Sequence, residues 1–343
     1  MLIHADADAF FASVEARDDP ALAGRAFVVA AHVVTCASYP ARARGIHAGM
    51  PLAAARRLDR ELIVIPPRPQ AYDAASADLF ALFASYTVFV EPGSMEEAFL
   101  DVEVVGLDPV ATAKTLRARA RAELGLPVSM GIGTTKQMAK VASRRAKPDG
   151  LLMISRGADR AIRHALTFEE VWGIGPTKVA ALRSQGWVRV GDLAGAAVED
   201  LVPIVGTMTA RKVAAICAGL DDAAIRVPGE RRSAAASRTI AATRSRSTIE
   251  ALCADLLSTA IARLPPRVEI TRVDLAVRFD DGALVSITRP LRPPVTDLDH
   301  LPSQVASGLA DTAYEQDGRG VGFVSVGLVC RPRTGDPTQL SLF

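Results

Sequence analysis

The stretch Ile3-His4-Ala5-Asp6-Ala7-Asp8-Ala9-Phe10-Phe11-Ala12-Ser13-Val14-Glu15 passes from a short apolar run through two acids into helical spacing. The first part reads as a buried strand that ends in the carboxylates of Asp6 and Asp8. A helix is predicted to follow at once, over residues 9–17. On it Phe10 and Val14 stand four apart on one face, and Phe11 and Glu15 share another. Phe10 therefore fits a core. Phe11, beside a polar neighbour, is either a surface ring or a bulky ring that lines a substrate pocket.

A second acidic pair, Glu96-Glu97, lies in Thr87-Val88-Phe89-Val90-Glu91-Pro92-Gly93-Ser94-Met95-Glu96-Glu97-Ala98-Phe99-Leu100-Asp101-Val102. Two strands flank a Pro92-Gly93 turn, and the pair opens the second strand. Strict alternation sends Glu96 to the side of Ala98 and Leu100 and Glu97 to the other. Both reach one site only if the backbone is irregular there, as at a bulge. Acids near turns are usually solvated, but with Asp6 at another strand end the three carboxylates suit two Mg²⁺ ions in phosphoryl transfer.

Two further segments suit a triphosphate. In Thr35-Cys36-Ala37-Ser38-Tyr39-Pro40-Ala41-Arg42 a strand runs into a helix, and Tyr39 and Arg42, three apart, can donate to one phosphate group. In residues 131–148, Lys136, Lys140 and Lys147 fall near one helical face, which is a phosphate-binding face or merely a solvated basic one. The GxxxxGK[ST] pattern of a phosphate-binding loop is absent.

Downstream, Val171-Trp172-Gly173-Ile174-Gly175-Pro176-Thr177-Lys178 joins two short helical segments as a helix-hairpin-helix signature. Gly173 and Gly175 are read as backbone positions closed to a side chain, and Pro176 as a helix start. Amides at such a terminus, with Thr177 and Lys178, suit a phosphate without reading any base. Basic charge then concentrates in Arg226, Arg231, Arg232, Arg238, Arg244 and Arg246 against the single acid Glu230. This reads as a linker, either simply solvated or lying along a polyanion. Beyond it the order β-α-β-β-α-β is predicted: a strand at 237–243, a helix at 248–264, an alternating strand at 269–279, a hairpin partner at 283–288, a helix within 298–314 and a strand at 321–330. This is the split βαβ arrangement, with one sheet face covered by helices.

At 343 residues the chain is too long for one small core. It is 49% hydrophobic and 23% charged with a formal charge of +2, the composition of a globular protein. No run of 18 apolar residues or secretory leader is found, and Cys36, Cys217, Cys253 and Cys330 form no CxxC pair. A membrane span, a disulfide framework and a zinc finger are excluded on these grounds, and a cytoplasmic protein is expected.

Taken in order, the motifs IHADADAFFASVE, TCASYPARARGIHAGMPL, SMEEAFLDV, GIGTTKQMAKVASRRAKPDG and VWGIGPTK resemble the Y-family DNA polymerases, the DinB or DNA polymerase IV branch most of all. The resemblance implies an α/β multidomain, right-hand polymerase architecture. An α+β palm occupies 1–8 and 68–155 and the fingers 9–67. An all-α thumb at 156–225 carries the helix-hairpin-helix. A basic linker spans 226–236, a split βαβ little finger 237–331, and a tail 332–343. It implies Asp6, Glu96 and Glu97 as catalytic carboxylates. These, with the Ala7 carbonyl, hold two Mg²⁺ ions for which Mn²⁺ substitutes. It further implies Phe11 as the steric gate against a ribose 2′-OH, and Tyr39, Arg42 and Lys147 as triphosphate contacts. Asp8 is taken as a support. Primer-template DNA is expected at Gly173, Gly175, Thr177, Lys178, Arg238, Arg244 and Arg246, with dNTP as substrate and the protein a monomer.

The chain departs from the family pattern in three places. Glu96-Glu97 stands where Asp-Glu is usual, Cys36 where threonine is usual, and the fingers hairpin at 27–35 is short. The terminal Gln339-Leu340-Ser341-Leu342-Phe343 follows Pro332, Gly335 and Pro337 and looks like the QLxLF peptide that binds the bacterial sliding clamp. The expected activity is low-fidelity translesion synthesis without proofreading. An inactive polymerase-like adaptor is the alternative, disfavoured because the acids and cations are kept. A helix-hairpin-helix nuclease explains VWGIGPTK but none of the motifs before it.

Overall fold

The computed structural model describes residues 1–221, 224–227, 232–315 and 318–333. The chain divides into two compact units, Met1–Pro228 and Gly229–Phe343. In the first unit a five-stranded sheet has the order Val90–Pro92, Glu97–Leu100, Leu2–Ala7, Val128–Gly133, Leu151–Met153. The apolar run of the opening motif is thus the central strand, antiparallel to both neighbours. The register sets Asp6 opposite Glu97 and Ser129, and His4 opposite Phe99 and Gly131. Directly opposed residues share a face, so His4, Asp6, Glu97, Phe99 and Ser129 all project to one side.

The helix Lys136–Ala146 packs closely against that side, because Gly131 and Gly133 carry no side chain there. A Cβ on Gly131 would lie 2.0 Å from the Ser143 nitrogen, and one on Gly133 2.4 Å from that of Ala139. The opposite face of the sheet carries Ile3, Ala5, Leu100 and Met130, all fully buried. They share a core with Leu79 and Phe83 of the helix Pro69–Ala84 and with Leu116 of the helix Pro109–Leu124.

Phe10, expected in the core, is completely buried, and truncating such a ring to alanine costs about 3–5 kcal/mol. It begins the helix Phe10–Asp18, entered through Ala9 in the left-handed conformation at φ 44°. That turn is unfavourable for a residue with a Cβ and sits directly after the acids.

A smaller core, with Val28, Val34 and Ile46, lies under a three-stranded sheet ordered Val34–Ala37, Phe27–Ala30, Ile63–Ile65. Its hairpin is short, as the sequence implied: residues 31–33 alone join Phe27–Ala30 to Val34–Ala37. A third core joins Met138, Val141 and Ala142 of the Lys136–Ala146 helix to Leu166, Phe168, Leu182 and Val213. That helix is therefore held between the sheet and an all-helical segment. The turn at residues 171–175 follows a single 3-10 turn, Phe168–Glu170, and leads into the helix Pro176–Ser184.

In the second unit the strands run Leu284–Val295, Val268–Phe279, Val321–Pro332, Ser233–Thr243, all antiparallel. The connectivity is the expected β-α-β-β-α-β, with helices Arg246–Ala262 and Leu301–Asp311. Val273, Leu275, Val277 and Phe279 share its buried face. Two boundaries differ from expectation: the hairpin partner expected at 283–288 runs on to Val295, and the first strand begins early. The first strand starts at Ser233 rather than 237, so residues 233–236, read as soft linker, pair with the last strand, and Ala234 and Ala236 are buried. Alternating small side chains suit a covered strand as well as a linker, and the pairing partner lies about ninety residues away in sequence.

Candidate active site

Asp6 sits at the end of the central strand with its side chain 13% exposed, and Lys147 Nζ lies 2.5 Å from its Oδ1. Glu96 precedes the strand that Glu97 opens, and its carbonyl accepts from the Ala7 amide at 3.0 Å. The alternation that would separate the two glutamates therefore does not apply to Glu96, which lies outside the strand. Its carboxyl is pushed up by burial and by the charge of Asp6, with Lys147 and Arg42 opposing. Asp6 and Glu96 are thus electrostatic neighbours in a partly dry site with two cationic side chains in reach.

Glu97 faces Asp6 across the ladder, but its carboxylate is engaged elsewhere. Lys140 Nζ lies 2.6 Å from Oε2, and His4 Nε2 lies 3.5 Å from the same oxygen. The His4 ring and the Lys140 ammonium together hold Glu97 down to about 2. Burial lowers the His4 value in turn, leaving a neutral ring at ordinary pH. Its Nδ1 is 2.7 Å from Ser143 Oγ, whereas its buried Nε2 has no hydrogen-bond partner. Of the two contacts to Glu97, the lysine is the shorter. Among the described residues no three His, Cys, Asp or Glu side chains are grouped closely enough to cage a metal. Of the three carboxylates expected to converge, Asp6 and Glu96 are electrostatic neighbours and Glu97 is turned to Lys140.

The donor chemistry still fits a hard divalent cation. Asp6 and Glu96 offer carboxylate oxygens without a thiolate or imidazole between them. The ammonium on Asp6 and the charge of Asp6 acting on Glu96 both mark negative charge gathered at this point.

Asp8 is fully buried, accepts three hydrogen bonds and has an ammonium nearby. The Tyr39 hydroxyl donates to its Oδ1 at 3.1 Å, while the Ser129 hydroxyl and the Asp149 amide donate to its Oδ2 at 2.8 and 2.6 Å. Lys147 Nζ lies 3.7 Å from Oδ1. The expectation that Tyr39 and Arg42 donate together to one phosphate is thus altered. The single Tyr39 proton goes to Asp8, and burial together with that carboxylate raises the phenol above its usual range. Arg42 is exposed, donates from Nε to the Ala37 carbonyl at 2.9 Å, and lies over the Tyr39 ring.

The lysines at 136, 140 and 147 do not form a solvated basic face. Lys136 and Lys140 are 7% and 5% exposed, and each meets an acid that sequence distance concealed. Lys136 pairs with Glu91 at 2.5 Å and Lys140 with Glu97.

Phe11 is half-buried and stacks on Tyr72, with ring centroids 4.3 Å apart and planes at 22°. The Tyr72 hydroxyl donates to Glu15 at 2.6 Å, and Arg68 Nε donates to both oxygens of the same carboxylate at 3.0 Å. Phe11 and Glu15 do share a face, and that face is built on Tyr72. The Glu15 carboxylate beneath the ring carries no sequence signal beyond its four-residue spacing.

In the helix-hairpin-helix turn, Gly173 requires its glycine, with φ 81°. Gly175 does not: it is extended at φ −82°, and a Cβ there meets nothing within 4 Å. Thr177 and Lys178 are exposed, and Lys178 Nζ donates to Thr209 Oγ1 at 2.6 Å. In the second unit Arg238 pairs with Asp255 and Arg246 with Glu250 and Glu315, all at the surface, and Arg244 is exposed. The peptide Gln339, Leu340, Leu342 and Phe343 lies outside the described residues, as do Glu230 and Arg231. No described helix is long and apolar enough to cross a membrane.

Residues 5–144 match the impB/mucB/samB family. The chain is 37% identical over 303 residues to DNA polymerase IV of Halorhodospira halophila, covering 85% of this chain and 84% of that one. It is 31% identical over 347 residues to DNA polymerase IV of Marinomonas sp., covering 96% of each. Among solved structures it resembles the Y-family DNA polymerase chimera Dbh-Dpo4(243-245)-Dbh, with a TM-score of 0.89 at 23% identity over 96% of this chain and 98% of that one. It also resembles DinB from Sulfolobus solfataricus, with a TM-score of 0.70 at 22% identity over 96% and 98%.

Proposed function

The chain belongs to the DNA polymerase IV branch of the Y-family DNA polymerases, and we propose from this that the acids around Asp6 are its nucleotidyl-transfer centre. The reaction is template-directed addition of deoxynucleotides to a primer 3′ end, used for translesion synthesis, without proofreading. The observation that carries the site assignment is the ion pair of Lys147 with Asp6, in electrostatic reach of Glu96 and Arg42.

Asp6 and Glu96, with the Ala7 carbonyl and with Glu97 once released from Lys140, would hold two divalent ions, Mg²⁺ by preference and Mn²⁺ in its place. The ions would lower the pKa of the primer 3′-OH and neutralise charge on the leaving pyrophosphate. Lys147 and Arg42 place cationic donors where the triphosphate oxygens are bound, which supplies orientation and charge stabilisation in a water-poor site. Asp8 fixes Tyr39 and the start of the Lys147 loop. A phosphate contact by Tyr39 would require its hydroxyl to leave Asp8. Phe11, supported by Tyr72, presents the ring that would crowd a ribose 2′-OH.

Residues 1–8 and 68–155 then act as palm, 9–67 as fingers, 156–225 as thumb and 237–331 as little finger. Thr177 and Lys178, with the turn at Gly173 and Gly175, would grip duplex backbone, and Arg238, Arg244 and Arg246 would add phosphate contacts. Residues 339–343 would bind the sliding clamp of a cytoplasmic, monomeric enzyme. Primer extension with Mg²⁺ and then Mn²⁺, comparing wild type with Asp6→Ala, tests the reading. Extension by wild type and none by the variant is expected; equal extension by both would remove Asp6 from the site.

A further inference from the structure

Trp172 stands at the entry to the Gly173–Gly175 turn and is 36% exposed. Its ring centroid lies 5.0 Å from Lys140 Nζ, the same ammonium that sits 2.6 Å from Glu97 Oε2. Phe99, which shares the face of Glu97 on its strand, packs against the indole at 5.6 Å. The backbone around the indole is fastened on both sides. The Trp172 amide donates to Gln137 Oε1 at 3.1 Å, and Gln137 Nε2 donates to the Glu170 carbonyl at 3.1 Å. Lys212 Nζ lies 5.1 Å from the ring and donates to the Trp172 carbonyl. The turn is thereby joined to the helix Lys136–Ala146 through residues 137 and 140, and to the helix Thr207–Ala218 through residue 212.

Lys140 is almost fully buried, and among the described residues its ammonium is partnered by the Glu97 carboxylate and the indole face. A divalent cation taken up by Glu97 repels that ammonium. The indole face, with its negative quadrupole, is the partner left to hold it. We infer that Trp172 is a positioning residue that couples the duplex-gripping turn to the metal-binding state of Glu97 through Lys140. The inference deepens the polymerase reading and rests on it for the role of Glu97. Coupling of this kind is reciprocal: duplex bound at the turn lowers the metal requirement, and metal tightens the duplex by the same factor.

The chain has two tryptophans, so a full-length Trp187→Phe protein reports from Trp172 alone. Its emission is titrated with Mg²⁺, first without DNA and then with saturating primer-template duplex. The expected result is a saturable change with metal alone that disappears in Glu97→Gln and in Lys140→Met. With duplex the half-saturating Mg²⁺ concentration should fall about fivefold or more, the lower end of the usual range of coupling between sites. A response that survives Lys140→Met, or a half-saturation that ignores duplex, overturns the inference.

A second arm measures primer extension. Trp172→Leu keeps an apolar side chain but removes the π-face, and should raise the Mg²⁺ requirement about five- to tenfold, between the worth of an exposed and of a desolvated cation–π contact. Trp172→Phe should recover part of that loss. A Trp172→Leu protein that melts earlier yet needs no more Mg²⁺ shows a purely structural residue and refutes the coupling. If wild type extends no primer, the polymerase reading falls, while the fluorescence arm still decides for or against the coupling.

Discussion

Replacing Glu97 by Gln and Lys140 by Met, singly and together, measures how tightly the unliganded site holds its third carboxylate. The Glu97 side chain is 16% exposed and that of Lys140 6%, so water screens the pair little. The glutamate value moves from 4.5 to about 2. At about 1.36 kcal/mol per unit, this is about 3 kcal/mol of stability at neutral pH. His4 contributes the largest part of that shift and remains in every variant, so the coupling between Glu97 and Lys140 should be about 1–2 kcal/mol in the double-mutant cycle. Each single variant should cost more than the double, because each leaves a buried group without its partner.

The sign with pH follows from the depressed value. The stabilisation is complete above the unfolded value of 4.5 and is lost as pH falls toward about 2. By linkage, only part of it should remain at pH 3. Urea denaturation followed by tryptophan fluorescence is the assay, since Trp172 and Trp187 both lie in the unit Met1–Pro228. A coupling below about 0.5 kcal/mol at pH 7, the level of an exposed surface pair, would refute the buried-pair argument.

Phe11→Ala should raise ribonucleotide incorporation by orders of magnitude in single-nucleotide assays; unchanged sugar selection in folded protein would rule out the gate. Glu96 carries one methylene more than the family's aspartate, and Mg²⁺ holds its ligands near octahedral geometry at about 2.0–2.1 Å. Extension should accordingly tolerate Mn²⁺ better than Mg²⁺, and Glu96→Ala should abolish it with either metal. Glu96→Asp then separates a strained ligand, whose activity improves, from a backbone adapted to glutamate, whose activity falls. Removing residues 339–343 should leave distributive extension of a short primer nearly unchanged while stimulation by the clamp vanishes; equal clamp affinity in the truncated protein would place the contact elsewhere.

What could be read from the sequence was local and periodic. Phe10 and Phe11 were separable because a helix sends neighbours to different faces, and the structure buries the first and half-buries the second. The alternation in Val268–Phe279 gave its buried face for the same reason. Partners distant in sequence were not legible. Lys136, Lys140 and Lys147 share a segment, yet each answers a different acid, and only the sheet register shows which. Tyr39 looked like a free donor until its hydroxyl was found on Asp8, thirty-one residues away. Ser233 to Ala236 looked like linker because small residues carry no periodic signal, whereas strand pairing with residues 326–329 makes them sheet. Trp172 stands within a recognisable motif, but nothing in its spacing points to Lys140 or Glu97.

The central claim is that Asp6 and Glu96 together carry template-directed nucleotidyl transfer. Its most direct test offers wild type, Asp6→Ala and Glu96→Ala each single dNTP in turn, on primed templates that differ in the first unpaired base. Wild type should add chiefly the complementary deoxynucleotide, and neither variant should add any with Mg²⁺ or Mn²⁺ although both still bind the duplex. Addition that ignores the template base, or extension by either variant at the wild-type rate, would contradict the claim.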